Sequence, residues 1–476
     1  MNLPVASVLP DLLAVLRAPG AAVLIAPPGA GKTTAVAPAL LGEPWCKGTI
    51  ILLSPRRLAA RAAAERMAEQ LGEAPGATIG YATRLDTKRS AKTRVLVMTE
   101  AIFVATILAD PELAGVSAVL FDEAHERHLD SDLGLALAIE SRAVLRDDLR
   151  LLVMSATLDG ARFADLLGQA PVIASEGRAH PLAIRWLGGF PGERIEEAMT
   201  RAILAAWREE EGDMLAFLPG IGEIRRTAER LGERLPQALV LALHGQCEPA
   251  AQRAAIRRDP QGRRRIVLAT AIAETSLTLD GVRIVVDSGL ARLAEFDKPA
   301  GVTRLVTRAA SQASAAQRAG RAARQGPGVA YRLWDEAAHA GRPRFAPPEI
   351  LTADLAPLAL ALAQWGAGEA LAWIDPPPAA AMAVARASLT TRGALAADGR
   401  ITAHGRAMAA LPMAPGHAHM LLFGAARGAG HAAAELALLL QERGLGGGGE
   451  DLALRRERWA ADRSPRAAAA RAMARR

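Results

Sequence analysis

Five short runs rich in Val, Ile and Leu open this chain: "AAVLIA" (21–26), "TIILLSP" (49–55), "RVLVMT" (94–99), "SAVLFDEA" (117–124) and "RLLVMSAT" (150–157). Amphipathic stretches of about 10 to 20 residues separate them. A continuous apolar run suits a strand buried on both faces, and parallel neighbours need a long, usually helical crossover. The pattern therefore predicts a parallel sheet covered by helices on both sides. It restarts after residue 178 with "DMLAFLPG" (213–220), "ALVLALHG" (238–245), "RRIVLATAIAE" (264–274) and "VRIVVDSG" (282–289). The fold class is α/β, with two similar domains in tandem over 1–178 and 179–342, divided within "SEGRAHPLAIRW" (175–186).

After "PRFAPPEI" (343–350) the character changes. "ADLAPLALALAQWG" and "PPAAAMAVARASLTTRGAL" read as helices, and "GALAADGRITAHG" as a hairpin around Asp398-Gly399. Helix, helix and hairpin predict a winged-helix-like module over 343–412. Residues 413–476 read as the start of a helical domain, with "GLGGGGED" (444–451) as a flexible hinge. The arginine-rich end reads as part of a longer protein.

The net charge of +7 points to a polyanion partner only weakly, because eight arginines against three acids fall between Asp451 and Arg476. Cys46 and Cys247 have no metal-like spacing, so a disulfide scaffold is not expected and a reducing cytoplasm fits. No uninterrupted apolar run approaches a membrane span.

"APPGAGKTT" (26–34) follows a strand and opens a helix. It matches the phosphate-loop pattern except that Ala26 stands at the first glycine. The nucleotide-binding set is Pro28, Gly29, Ala30, Gly31, Lys32, Thr33 and Thr34. Gly29 and Gly31 let the backbone approach phosphate oxygens, Lys32 reaches the β and γ phosphates, and Thr33 ligates magnesium. A plain glycine-rich turn is the alternative. "VLFDEAHERHLDSD" (119–132) then ends a strand in two acids and a histidine. A helix cap explains one acid. A metal and water site explains Asp122 on the metal, Glu123 polarising the attacking water and also near the metal, and His125 one turn into the next helix, reporting on the neighbouring domain. In "QRAGRAAR" (317–324), Arg318, Arg321 and Arg324 recur every three residues, which places them on one helical face. With no local acid partners, they suit a γ-phosphate presented by the facing domain; a solvated basic helix is the alternative.

Phosphate loop, "DEAH" and "SAT" (155–157), then "ATAIAETSLTLDG" (269–281) and "QRAGRAAR", come in that order. In this the chain resembles the superfamily 2 helicases of the DEAH/RHA group, and the text downstream narrows the likeness to a bacterial branch. The resemblance implies two RecA-like domains, ATP and Mg2+ as cofactors, and 3′-to-5′ movement on single-stranded nucleic acid, RNA for preference, by a monomer. It implies that Gln317 orients the lytic water while Arg321 and Arg324 act as arginine fingers. It further implies that Asp280 contacts the ribose, that Glu274 to Ser276 sense the nucleotide state, that Arg66 stacks on adenine, and that Ser155 and Thr157 couple hydrolysis to unwinding. Arg56, Arg57, Arg84, Thr99 and Thr270 become the nucleic-acid track, and "ARLAEFDKPAGVTRLVTR" (291–308) a strand-separating hairpin. An ATP-driven clamp without processive unwinding is the competing function. Four alanines depart from the family pattern: Ala101 and Ala105 in the segment that hooks nucleic acid, Ala271, which removes a contact to the strand, and Ala323, benign on a helix because Ala outranks Gly by about 1 kcal/mol.

Overall fold

The computed structural model describes residues 3–84, 86–156, 160–176, 180–189, 191–274, 279–297, 300–366, 371–442 and 444–475. The chain forms two compact units, one of Met1–Thr352 with Ala372–Ile374, the other of Ala353–Leu371 with Asp375–Arg476.

The first unit holds two sheets and a separate hairpin. Strands β1 (Ala21–Ile25), β2 (Thr49–Ser54), β3 (Ile79–Thr83), β4 (Asp86–Lys88), β5 (Val95–Thr99), β6 (Val116–Phe121), β7 (Arg150–Ser155) and β8 (Val172–Ala174) build the first sheet, in the order β4-β3-β5-β2-β6-β7-β1-β8. All neighbours are parallel except the β3–β4 pair. Alternation within the apolar runs divides them between two faces. Ile50, Leu52, Leu120 and Leu152 share a core with the helices Leu9–Arg17, Lys32–Leu40 and Arg57–Gln70. On the other face Phe121 meets Phe103 of helix Glu100–Ala109, ring edge to ring face at 5.8 Å.

The second sheet uses β9 (Leu182–Trp186), β10 (Asp213–Phe217), β11 (Leu239–Leu243), β12 (Arg265–Ala269), β13 (Val282–Asp287) and β16 (Gly328–Arg332), in the order β11-β12-β10-β13-β16-β9. Between β13 and β16 runs the antiparallel hairpin β14 (Leu290–Asp297) and β15 (Val302–Ala309), in register from Leu290↔Ala309 to Asp297↔Val302. Leu58 and Ala62, on the first helix after β2, pack against the core of the second sheet, so the two domains share apolar surface.

In the second unit, helices Ala356–Trp365, Ala379–Thr391 and Ala403–Ala409 come first. The expected hairpin is reduced to one bridge, Leu395↔Ile401, because the turn at Asp398-Gly399 returns the chain straight into the next helix. The glycine-rich segment is not an open hinge in its described part: Leu445 is buried in a core with Leu438, Leu439 and Trp459. Among the described residues no helix is long and apolar enough to cross a membrane. Both cysteines are free.

Arg265 opens β12 with no exposed side-chain surface, held 2.9 Å from Asp213 and by the carbonyls of Ala255 and Arg257. Removing one partner of a buried ion pair typically costs about 3–5 kcal/mol. Asp213→Ala should therefore lower the unfolding free energy of the second sheet by that order, read as an earlier denaturant midpoint in the signal of Trp207, whose ring packs under Arg264.

Candidate active site

Parallel strands bring their C-terminal ends to one edge, and there the first sheet assembles its polar groups. β1 runs into the phosphate loop, β7 ends in Ser155, and β6 leads into Asp122. Gly29 (φ 88°) and Gly31 (φ 89°) take left-handed backbone, which a side chain resists. Gly31 caps helix Lys32–Leu40, whose N-terminus presents the backbone N–H groups and positive dipole that favour phosphate. Lys32 and Glu123 are each 4% exposed and ion-paired at 3.0 Å. Thr33 donates its hydroxyl hydrogen to Asp122. Glu123 itself sits in left-handed backbone (φ 53°, ψ 33°), as does Arg127. Two consecutive acids are thereby turned toward the loop.

Burial, then the neighbouring Glu123, pushes the Asp122 carboxyl up. Burial would raise Glu123 as well, but Lys32 and His125 outweigh it and hold that carboxylate low, at about 2. Lys32 lowers both carboxyls, but only at Glu123 does it help to overcome burial.

His125 lies in a short 3-10 turn, Ala124–Glu126, rather than one turn into a helix; helix Leu129–Val144 starts later. Its Nδ1 accepts from the backbone N–H of Ala156, which leaves the hydrogen on Nε2. Nε2 stands 2.8 Å from the amide of Gln317 in the second domain, so the Gln317 oxygen is the natural acceptor there. Burial pulls the imidazole pKa down, in keeping with this neutral tautomer.

The three arginines do not share a face. Helix Gln312–Gly320 ends and a 3-10 turn, Arg321–Ala323, follows, so the direction of the side chains changes after Arg318. Arg318 has two acid partners, Glu274 at 2.6 Å and Asp287 at 2.8 Å, and belongs to the interior of the second domain. The same turn removes the helix-propensity argument for Ala323. Arg324 points back to the first domain: a Cβ at Gly29 would meet its Cδ at 3.4 Å. Its Nη2 is buried with no hydrogen-bond partner among the described residues. Arg321 is 3% exposed and donates to the carbonyl of Glu274. Burial lowers the pKa of both, Arg324 to about 10, with Glu123 pulling the other way. Two crowded, desolvated guanidinium groups beside a phosphate loop are suited to a multiply charged anion.

Other candidates are dispersed. Arg56 spans the domains, donating to the carbonyl of Ala271 at 2.6 Å and to Glu126 at 3.2 Å. Arg57 is exposed and Arg84 is partly buried. Thr99 and Thr270 precede the helical turns at 100 and 271 without capping them through their side chains. Arg66 is exposed and paired with Glu69 at 2.8 Å. Asp280 lies beside Gln325, whose amide is 3.4 Å away. Ser155 is fully buried. Thr157 and Ser276 lie outside the described residues.

Residues 7–166 match the DEAD/DEAH box helicase family, and residues 195–326 match the helicase conserved C-terminal domain. The chain is 45% identical over 444 residues to the ATP-dependent RNA helicase HrpB of Escherichia coli (strain K12), covering 93% of this chain. The crystal structure of the Escherichia coli DEAH/RHA helicase HrpB superposes with a TM-score of 0.92 at 43% identity, over 99% of this chain. This chain belongs to the DEAH/RHA group of helicases. Its two sheet domains are the tandem RecA-like domains of that group. A more distant member, the Schizosaccharomyces pombe pre-mRNA-splicing factor ATP-dependent RNA helicase prp22, is 35% identical over 405 residues. The chain spans 55% of the HrpB sequence, 35% of prp22 and 60% of the HrpB crystal chain.

One cluster escaped the sequence reading. His128 lies 3.2 Å from Glu100 and 3.4 Å from Glu126, and Glu349 accepts from the backbone N–H of Leu129 beside it. Burial opposes a charged imidazole, but the hydrogen bond to Glu100 and the charges of Glu100, Glu126 and Glu349 outweigh it and raise the pKa to about 9. A histidine two residues beyond Glu126 carries no motif, and Glu100 and Glu349 are remote in sequence, so only folding reveals the group. The raised pKa means that this contribution to stability is complete below the unfolded value of about 6.5 and is lost as pH rises through about 9. The thermal midpoint of the native protein should therefore fall between pH 7 and 10, and His128→Gln should flatten that fall.

Proposed function

We propose that the chain hydrolyses ATP with magnesium and uses the cycle to move 3′-to-5′ along single-stranded RNA and part its duplexes. The observation that carries the reading is the seam: Lys32, Asp122 and Glu123 face Gln317, Arg321 and Arg324 across the phosphate loop, from two domains. Groups from both domains must converge before the reaction, so hydrolysis is tied to closure.

The roles follow from chemistry. The loop's backbone N–H groups and Lys32 bind the phosphates. Thr33 and Asp122 offer hard oxygen donors of the type magnesium selects. When bound, magnesium supplies charge neutralisation at the phosphates. Glu123, held ionised, accepts a hydrogen bond from the attacking water, and Gln317, set by His125, orients it. Arg321 and Arg324 stabilise charge on the transferring phosphoryl group.

The preference for RNA rests on kinship with HrpB and prp22, both named ATP-dependent RNA helicases, and the direction on the resemblance of the motifs to the DEAH/RHA group. Residues 1–178 and 179–342 are assigned as the motor, 343–412 as a winged-helix-like module and 413–476 as part of a helical domain; the protein acts as a monomer in the cytoplasm. Three alanines at strand-facing positions, Ala101, Ala105 and Ala271, favour a second reading, an ATP-driven RNA clamp.

Single-stranded RNA should stimulate ATP turnover at least several-fold, and a 3′-tailed duplex should be displaced while a 5′-tailed one is not. Stimulated hydrolysis without displacement selects the clamp. Glu123→Gln should bind ATP yet hydrolyse it at least about 100-fold more slowly, since removing a positioned general base costs about 10²–10⁴. Arg324→Ala should lower kcat by about 10³ or more, the usual loss for an arginine finger, with little change in fold.

A further inference from the structure

Arg318 lies in the finger segment, yet it is 1% exposed and faces away from the seam. Its guanidinium spans the ends of two strands. On one side Nε and Nη2 hold the Glu274 carboxylate, just after β12, at 2.7 and 2.6 Å. On the other Nη1 donates to Asp287, the last residue of β13, at 2.8 Å, and to the carbonyl of Leu290, the first residue of the hairpin, at 3.0 Å. Between β12 and β13 lies β10, and the cation sits over the ring of its last residue, Phe217, 5.1 Å from the centroid. One rigid fork thus ties the segment after β12 to the root of β14–β15.

Both ends are fixed further. The carbonyl of Glu274 accepts from Arg321, so the residue that grips Arg318 by its carboxylate touches Arg321 by its backbone. At the other end Asp287 accepts from the N–H of Gly289, and Arg342 donates to the carbonyls of Gly289 and Ala310, flanking the hairpin. Gly289 takes left-handed backbone (φ 70°), and a Cβ there would lie 2.5 Å from the Trp334 ring. The root has no slack on that side. One buried cation serves two carboxylates, so displacing it breaks both ion pairs at once.

We infer that Arg318 is a positioning residue that transmits the state of the nucleotide seam, through Glu274 and Arg321, to the root of the β14–β15 hairpin at Asp287 and Leu290. The inference rests on the helicase reading for its consequence, strand separation, but not for the linkage itself. Among the described residues the hairpin pairs with no other strand, so its hold on the second domain comes from its root and from Arg292, which reaches Glu223 at 3.2 Å.

The experiment has two arms on the full chain. Hydrogen exchange of residues 290–309 is measured with and without a non-hydrolysable ATP analogue, in wild type, Asp287→Asn and Arg318→Lys. ATP turnover and strand displacement are measured on the same three proteins with a 3′-tailed RNA duplex. Asp287→Asn keeps the shape and the Oδ1 acceptor for Gly289, removes the charge and turns the second oxygen into an N–H donor. The expected result is a nucleotide-dependent change in hairpin exchange in wild type that both variants lose. In Asp287→Asn, kcat and KM for ATP should stay within about twofold of wild type, while duplex displaced per ATP falls about tenfold. No nucleotide response of the wild-type hairpin overturns the inference, as does an undiminished response in both variants. Turnover and displacement falling in proportion with the thermal midpoint also overturn it, because a merely structural role predicts that. A linked exchange response in a wild type that displaces no duplex supports the linkage and rejects processive unwinding instead.

Discussion

A lysine and a glutamate buried together 3.0 Å apart organise this molecule's chemistry. Taking both charges out of water is costly, and such a pair adds little to net stability. Its value lies in what it fixes. Glu123 stays ionised in a place where burial alone would protonate it, and Lys32 is held over the loop it must serve. The left-handed backbone at Glu123 is part of the same arrangement, because it turns two successive carboxylates to the same edge, Asp122 toward Thr33 and Glu123 toward Lys32. Strain of that kind persists where the surrounding structure enforces it.

The second domain answers that pair with cations. Arg321 and Arg324 are crowded and desolvated, and burial works against their charge. On the proposed reading a triphosphate offsets both penalties at once, which makes closure depend on nucleotide. Arg318, three residues earlier, has the opposite design: it is saturated by Glu274 and Asp287 inside the second domain. One short segment therefore carries two kinds of arginine, one kind desolvated beside the phosphate loop and one embedded in the frame of the second domain.

The apolar runs at 21–26, 49–55, 94–99, 117–124 and 150–157 locate β1, β2, β5, β6 and β7 because strands covered on both faces have to be continuously apolar. The same logic misses edge strands. β4 ("DTK") and β9 ("LAIRW") are half in solvent and carry polar residues that blur the signal. Spacing also misled where helix type changed. A three-residue repeat places Arg318, Arg321 and Arg324 together only if the helix continues, and it stops at Gly320. The absence of acids near Arg318 in sequence said nothing of Glu274 and Asp287, which lie 44 and 31 residues away.

The sequence by itself determined the two-sheet plan, the phosphate loop, the pair of acids at the end of β6 and the order of the motifs. Those features are local: a period of apolar residues, a glycine that tolerates positive φ, an acid placed after a strand. Only the tertiary structure decided which charges meet. Contact between His125 and Gln317, the bridge from Arg56 to Ala271, the raised pKa of His128 and the embedding of Arg318 all join residues far apart in the chain. Electrostatic energy depends on separation in space and on the water removed, and neither is written in the separation along the chain.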